Sequence, residues 1–461
     1  MSERFDVVVL GGGPGGYAAA LYAGAAGLSV ALVEEDRVGG TCLHRGCVPA
    51  KELLQTAEVL RTVRGAAEFG VHAGEPVLAL PESQVRKQQI VDKLAKGVEG
   101  LLKARTVTTV AGRGTVVDGP GRVVRVGERD LTGDALVLAT GSAPRPLPGL
   151  DFDGRLVLSS DHVLALESVP PRVLVVGGGA IGCEFASLLA DYGSEVTLVE
   201  AMPRLLAAAD EQVSEFVSRR FSRRGITVHT GATLRAIDGD AVLDVTFADA
   251  AGTEHVIAVD AVIVSVGRSP RTADLGLEAA GVSLTDSGHV VVDAHLRTAV
   301  PGIFAVGDVV PTPQLAHVAF GEAIVAVKTI LGEPVDPIDH DKVPWAIYSH
   351  PEVAWAGLTE TAARDRGIEV TTSVHRFGGN SRALIVGEPE GFVKLVADPA
   401  GTLLGVHVVG PWATELIAEG YLAVNWEATA ADVGSLIHAH PTLSELFGES
   451  ALALTGRGLH G

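Results

Sequence analysis

Cys42 and Cys47 stand with four residues between them in GGTCLHRGCVPAK, on a chain with one further cysteine, Cys183. Two thiols this close can pass between dithiol and disulfide. Three cysteines make no stabilising framework, and a bridge across so short a loop constrains the unfolded chain only modestly. Zinc is disfavoured as well: no second C-x-x-C and no histidine pair at ligand spacing accompanies them, so no metal is expected. Thiol–disulfide exchange is the chemistry these residues suit. Near the carboxyl end, HAHPTLSE brings His438 and His440 close to Glu445. An imidazole moves thiol protons near neutral pH, and a carboxylate partner fixes its tautomer and stabilises the imidazolium. The alternative for this segment is a capping box in which Thr442 begins a helix and Glu445 is its acid.

Electrons released by a thiol pair need a carrier, and the chain holds two places for one. The short apolar run FDVVVL leads into GGGPGG and then into a stretch of helical composition. Gly11, Gly13 and Gly16 give the G-x-G-x-x-G spacing: a tight turn, close backbone approach to a pyrophosphate and tight helix packing. The helix amino terminus then faces the phosphates with unpaired N–H groups. The next apolar run, LSVALVE, ends at Glu34, placed to accept hydrogen bonds from a ribose. The pattern recurs in RVLVVGGGAIGCEFA, with Gly177, Gly179 and Gly182, and SEVTLVE ends at Glu200. Two dinucleotide sites are expected; the alternative is a pair of tight turns without ligands. Glu200 would repel the extra phosphate of NADP, and no arginine cluster follows it directly, Arg204 lying four residues on. NAD is the expected partner of the second unit.

With these residues in view, the chain resembles the flavin-dependent pyridine-nucleotide disulfide oxidoreductases. The resemblance starts from Gly-Gly-Thr-Cys, four residues, Cys and Pro-x-Lys, and it covers nearly the whole chain. It includes ATG at 139–141, VGR at 266–268, GIFAVGD at 302–308, LAH at 315–317 and HAHPTLSE at 438–445. It implies FAD in the first glycine unit, with Gly40, Thr41, Gly114, Thr140 and Gly141 among its contacts. Asp308 would meet the ribityl chain, Ala316 the isoalloxazine ring, and Lys51, paired with Glu184, flavin N5. NAD would fall to the second unit, with Ile181, Glu184 and Gly267 beside its glycines. The resemblance also divides the thiols: Cys42 exchanges with substrate, while Cys47 lies against the flavin. It picks His440 as the base with Glu445 orienting it, and implies a homodimer in which this pair serves the other subunit's disulfide. His438 reads as structural, and Cys183 as buried packing.

The reaction implied is oxidation of a protein-bound dihydrolipoyl group to lipoamide with reduction of NAD+. Its carrier would be a lipoyl domain of a 2-oxo acid dehydrogenase or glycine cleavage complex. The alternatives are an NAD(P)H-dependent reductase of another disulfide, such as mycothione, and a flavoprotein diaphorase. HAHPTLSE and SRALIVGEPEGFVKL lie closer to the lipoyl pattern, and TGRGLHG lacks the terminal cysteine pair expected of a mercuric or large thioredoxin reductase. His44, where relatives commonly carry Asn, is a departure that bears on redox tuning.

The elements that must position these residues are of α/β type: two Rossmann-like dinucleotide-binding domains and a carboxyl-terminal α+β interface domain. With 56 glycines in 461 residues and only 5% aromatics, the composition suits strands alternating with closely packed helices. The expected segments are an FAD domain at 1–147, an NAD domain at 148–271, a central segment completing the FAD site at 272–343, and an interface domain at 344–461. Residues 84–104 have the spacing of a long amphipathic helix with a solvated face. The formal charge of −20 opposes affinity for nucleic acid or anionic membranes. No secretory pattern opens the sequence and no apolar run reaches the roughly 18 residues of a spanning helix, so a cytoplasmic protein is expected.

Overall fold

The computed structural model describes residues 2–460, and the chain divides into two compact units. The first comprises Met1–Leu53, Pro81–Arg145 and Gly267–His340; the second comprises Leu54–Leu80, Pro146–Val266 and Asp341–Gly461.

The first unit is built on the strand Ser2–Leu10, which pairs in parallel with Val30–Glu34 on one side and Arg129–Leu138 on the other. Val7, Val8 and Val9 are all fully buried because both faces of this sheet are covered. Successive residues therefore serve different cores: Val7 and Val9 pack with Ala19, Ala20 and Ala23 of the helix Pro14–Ala25, while Val8 and Leu10 pack with Leu136 and Ile303. Thr108–Ala111 extends the sheet in parallel beyond Val30–Glu34, and Gly114–Asp118 with Val123–Val126 adds an antiparallel edge. A late segment, Ile303–Ala305, joins Leu136–Leu138 in parallel. The chain leaves and re-enters this unit through an antiparallel ribbon of Ser142–Pro144 against Arg268–Pro270. The long helix is present as Leu80–Ala104, starting four residues before the expected position, with Val91, Ala95 and Leu102 on its buried stripe.

The second unit repeats the plan with a parallel sheet in the order Thr227–Thr230, Glu195–Glu200, Arg172–Val176, Ala261–Val264, Val157–Leu158. Its later part is a five-stranded antiparallel sheet running from Trp345–Ile347 through Glu352–Gly357, Leu403–Gly410 and Phe392–Ala397 to Thr371–Arg376. The helices Ala413–Asn425 and Glu445–Leu454 pack on it through Ile417, Val424, Leu446 and Phe447. Within this unit Lys394, almost wholly buried, reaches Asp210 at 2.9 Å and Glu360 at 2.7 Å, tying the antiparallel sheet to the helix Glu211–Arg223 that Asp210 caps. Among the described residues no helix is long and apolar enough to cross a membrane.

Candidate active site

The first glycine unit and the cysteine segment are built against each other. Gly11 sits at φ +104°, and a Cβ on Gly16 would come within 1.8 Å of the Gly11 carbonyl oxygen, so the turn can only close on glycine. Gly13 caps the helix Pro14–Ala25 without a side-chain hydrogen bond, leaving the helix amino terminus for a ligand anion. Glu34 accepts the Gly12 N–H at 2.6 Å and the Asp36 N–H at 2.8 Å, which fixes its carboxylate at the end of the second strand. A cleft of about 490 Å³ opens beside it, lined by Glu34, Asp36, Arg37, Val38, Lys103 and Thr109.

Gly39 donates its N–H to the Gly12 carbonyl at 2.8 Å, and a Cβ on Gly40 would lie 2.6 Å from Gly13 Cα. The helix Gly40–Arg45, which carries Thr41 and Cys42, thus begins directly on the phosphate-type turn. It breaks at Gly46, and Cys47 opens the next helix, Cys47–Gly65, with Lys51 one turn further along. The cysteines are free thiols in contact: the hydrogen bond to Cys47, then burial, push the Cys42 thiol far above its ordinary range, against a weaker opposing pull from Lys51. His44 ties this segment down, its Nε2 lying 2.8 Å from the Val38 carbonyl, while its Nδ1 has no partner among the described residues. Tyr17, half-buried with its ring 5.7 Å from that of Phe320, has its phenol pushed up to about 12 by burial and then by the two cysteines.

Three motifs distant in sequence converge on Asp308. The Ser142 hydroxyl donates to its carboxylate at 2.5 Å and accepts from Arg268 Nε at 2.7 Å, so serine relays an arginine to the aspartate. Thr140 Oγ1 donates to the Arg271 carbonyl at 2.6 Å, and the Gly141 carbonyl accepts the Arg271 N–H at 2.8 Å. Gly267 accepts the Arg145 N–H at 3.0 Å. Ala316 starts the helix Ala316–Leu331. Gly114 opens its strand where a Cβ would press within 2.6 Å of Leu10, which gives it a packing reason as well. Sequence reasoning missed Ser142, Arg268 and Tyr17. The signal available was their position inside or beside the matched motifs.

In the second unit the nucleotide geometry is repeated. A Cβ on Gly182 would come within 1.8 Å of the Gly177 carbonyl oxygen, Gly179 caps the helix Ala180–Tyr192, and Ile181 lies in its first turn. Glu200 accepts the Gly178 N–H at 2.5 Å and the Met202 N–H at 2.6 Å. Arg204 is committed to Glu211 at 2.8 Å and to the Ala207 carbonyl, so it adds no cation for a 2′-phosphate. Glu184 is buried and accepts the Tyr348 N–H at 2.9 Å. Cys183 is fully buried, with its thiol 3.3 Å from the Gly178 carbonyl, and burial pushes it up. It is a packing residue.

His440 Nδ1 lies 2.7 Å from Glu445 Oε1, leaving Nε2 on a largely exposed ring. Burial would raise the Glu445 carboxyl, but the Thr442 N–H and His440 outweigh it and hold it below the usual carboxylate range. The helix begins at Glu445, not at Thr442, with Ser444 as its cap. Glu445 nevertheless takes the Thr442 N–H at 2.8 Å, so one carboxylate both fixes the turn and orients the imidazole. His438 is held by Glu419 at 2.8 Å and packed over Gly448.

Both glycine turns fit a dinucleotide: each leaves a helix amino terminus open where a Cβ would fill the cradle, and each ends in a fixed acid. Combined with the thiol pair, this defines a dinucleotide-dependent thiol–disulfide oxidoreductase. Residues 5–323 match the family described as pyridine nucleotide-disulphide oxidoreductase, and residues 343–451 match its dimerisation domain. The chain is 41% identical to a dihydrolipoyl dehydrogenase of Bacillus subtilis and 40% identical to one of Chlamydia muridarum, covering all of this chain and at least 99% of either relative. LpdA from Mycobacterium tuberculosis superposes with a TM-score of 0.90 at 28% identity over 98% of this chain and 99% of that one. The flavoprotein disulfide reductase RclA from Escherichia coli, at 24% identity and a TM-score of 0.86, shares the fold. This chain belongs to the pyridine nucleotide-disulphide oxidoreductases, with FAD and NAD as cofactors and that family's dimerisation domain at its carboxyl end.

Proposed function

We propose that this chain catalyses the dihydrolipoyl dehydrogenase reaction: a protein-bound dihydrolipoyl group becomes lipoamide as NAD+ becomes NADH. The observation that carries it is the junction of Gly39 and Gly40 with Gly12 and Gly13, which sets the cysteine pair directly on the first dinucleotide turn. The relatives matched along the whole chain are dihydrolipoyl dehydrogenases, which supports the lipoyl substrate.

In this reading FAD is held by Gly11, Gly13, Gly16 and Glu34, with Gly40, Thr41, Lys51, Gly114, Thr140, Gly141, Asp308 and Ala316 as further contacts. NAD is held by Gly177, Gly179, Ile181, Gly182, Glu184, Glu200 and Gly267. Bound FAD supplies the path by which the electron pair of the reduced cysteines reaches the nicotinamide. His440 of the partner subunit, its Nδ1 fixed by Glu445, takes a proton on Nε2 from one substrate thiol. The resulting thiolate attacks Cys42 of the disulfide and Cys47 leaves as thiolate; the second substrate thiol then displaces Cys42, closing lipoamide and leaving the dithiol. Cys47 is the more exposed sulfur here, so the assignment of exchange to Cys42 rests on the family resemblance and on the separate demands of exchange and flavin contact. The working form is a cytoplasmic homodimer serving a lipoyl domain of a 2-oxo acid dehydrogenase or glycine cleavage complex.

The test is turnover of dihydrolipoamide with NAD+, and of mycothione and glutathione disulfide with NADH, by one preparation of the holoenzyme. Dihydrolipoamide should have the highest kcat/KM by orders of magnitude. Faster turnover of mycothione would reassign the substrate.

A further inference from the structure

Glu322 lies on the helix Ala316–Leu331 and is fully buried, although the mechanism above gives it no task. Its surroundings show what it holds. The strand Ile303–Ala305 runs into Val306, whose N–H still pairs with the Leu138 carbonyl at 2.9 Å. The next donor, the Gly307 N–H, has left the sheet, and the chain turns there at φ +74°. Glu322 Oε2 accepts that N–H at 2.6 Å. Its other oxygen, Oε1, makes no hydrogen bond among the described residues; His340 Nε2 stands 3.5 Å away. The residue presented by this turn is Asp308, whose carboxylate is gripped from the other side by Ser142.

A buried backbone donor left without an acceptor is costly, and so is a buried carboxylate with few partners. Glu322 Oε2 removes the first of these costs, at a turn where the chain leaves the sheet to present an acid. We infer that Glu322 is a positioning residue for the flavin: it anchors Gly307 and thereby sets where Asp308 meets the cofactor. This rests on the reading that the first glycine unit binds FAD and that Asp308 contacts it. The carboxylate acts through its acceptor oxygen. A glutamine, whose amide oxygen can take the same N–H, should therefore substitute for it, whereas alanine should not.

The experiment compares wild type, Glu322→Gln and Glu322→Ala as purified holoproteins. It measures FAD retained per chain, the FAD dissociation constant after reconstitution, the fine structure of the flavin absorption bands and, separately, NAD binding to the second unit. Glu322→Gln should hold FAD within a few-fold of wild type with the same band shape. Glu322→Ala should bind it about tenfold or more weakly, the scale of losing a hydrogen bond to a charged group, with bands moving toward those of free FAD. NAD binding should be unchanged in both. Alanine and wild type retaining FAD equally, with identical bands, would overturn the inference. So would equal losses in Gln and Ala, or parallel losses of FAD and NAD. If the alanine chain does not fold, the glutamine chain decides alone: FAD bound as in wild type supports the anchor, and FAD lost overturns it. A wild-type chain that takes up no FAD would instead refute the cofactor assignment itself.

Discussion

Glu445 divides its two oxygens between His440 Nδ1 at 2.7 Å and the Thr442 N–H at 2.8 Å, so the imidazole is oriented by a group that is itself pinned to the backbone. His440→Gln should lower dihydrolipoamide oxidation by about 10²- to 10⁴-fold, the range for losing a positioned acid–base. Reduction of an artificial acceptor by NADH should persist, because it needs no thiol deprotonation. Glu445→Gln should give a milder loss. Because the Glu445 carboxyl titrates below its ordinary range, its contribution to stability is full above the unfolded value and is lost as pH falls through the lowered folded one. Mixed Cys42→Ser and His440→Gln subunits should regain activity towards half of wild type per heterodimer. Steady-state assays before and after verified subunit exchange check this, and no recovery would place each site within one chain.

Cys42 and Cys47 should separate on substitution. Cys42→Ser should abolish dithiol oxidation while keeping FAD and a long-wavelength absorption from the Cys47 thiolate beside the flavin. Cys47→Ser should remove that band. Absorption spectra of the two variants with the flavin oxidised decide, and the reverse pattern would exchange the roles of the sulfurs.

Glu200 holds the Gly178 and Met202 N–H groups besides the ribose contact proposed for it, so the variant must be chosen with care. Glu200→Gln keeps an acceptor for one of these two N–H groups and removes the charge that repels a 2′-phosphate, so NAD+ binding is measured beside the ratio. The kcat/KM ratio of NAD+ to NADP+ should fall by about tenfold or more, and an unchanged ratio would count against the second unit as the nicotinamide site.

Lys394→Met would leave the buried Asp210 without its cation, while the partly exposed Glu360 would keep Arg364 at 2.6 Å. Loss of one partner from such a cluster costs about 3–5 kcal/mol, visible as a lower Tm. Burial pushes Asp210 up, yet neighbouring His407 and Lys394 outweigh it and hold it below its ordinary range. The stability Asp210 adds is therefore present above its unfolded pKa and fades as pH falls through its lowered folded value. Wild-type Tm should decline on acidification more steeply than that of a Lys394→Met/Asp210→Asn/Glu360→Gln variant.

The parts legible in the sequence were those whose physics is local. Gly11 to Gly16, Gly177 to Gly182, and Cys42 with Cys47 each lie within six residues at a helix boundary, so spacing carries the geometry. Glu34 and Glu200 are legible because one helix and one short strand lead from each turn to its acid. Asp308 was legible only through resemblance, and its partner Ser142 lies 166 positions away, a distance no periodicity spans. Nothing in the sequence around Tyr17 shows that the fold brings the cysteines beside it. Nothing around Lys394 shows its burial, which comes from tertiary packing against Asp210. The start of the last helix was misplaced by the capping alternative because Glu445 serves Thr442 from inside the helix, and a hydrogen bond of that kind does not announce which residue begins the coil.

The ribbon through which the chain leaves the first unit at Arg145 and re-enters it at Gly267 sets an order on biosynthesis. Leu136 and Leu138 wait for Ile303–Ala305 to cover their edge of the sheet, and the Ser142 hydroxyl waits for Asp308. A ribosome adds about 5–20 residues per second, so the half-made sheet stands open for on the order of ten seconds or more while the intervening module is translated. The inserted module can collapse on its own parallel sheet during that interval, before the unit that encloses it in sequence is complete. The nascent chain thus leaves the apolar strand edge at Leu136–Leu138 unpaired for longer than many domains take to fold.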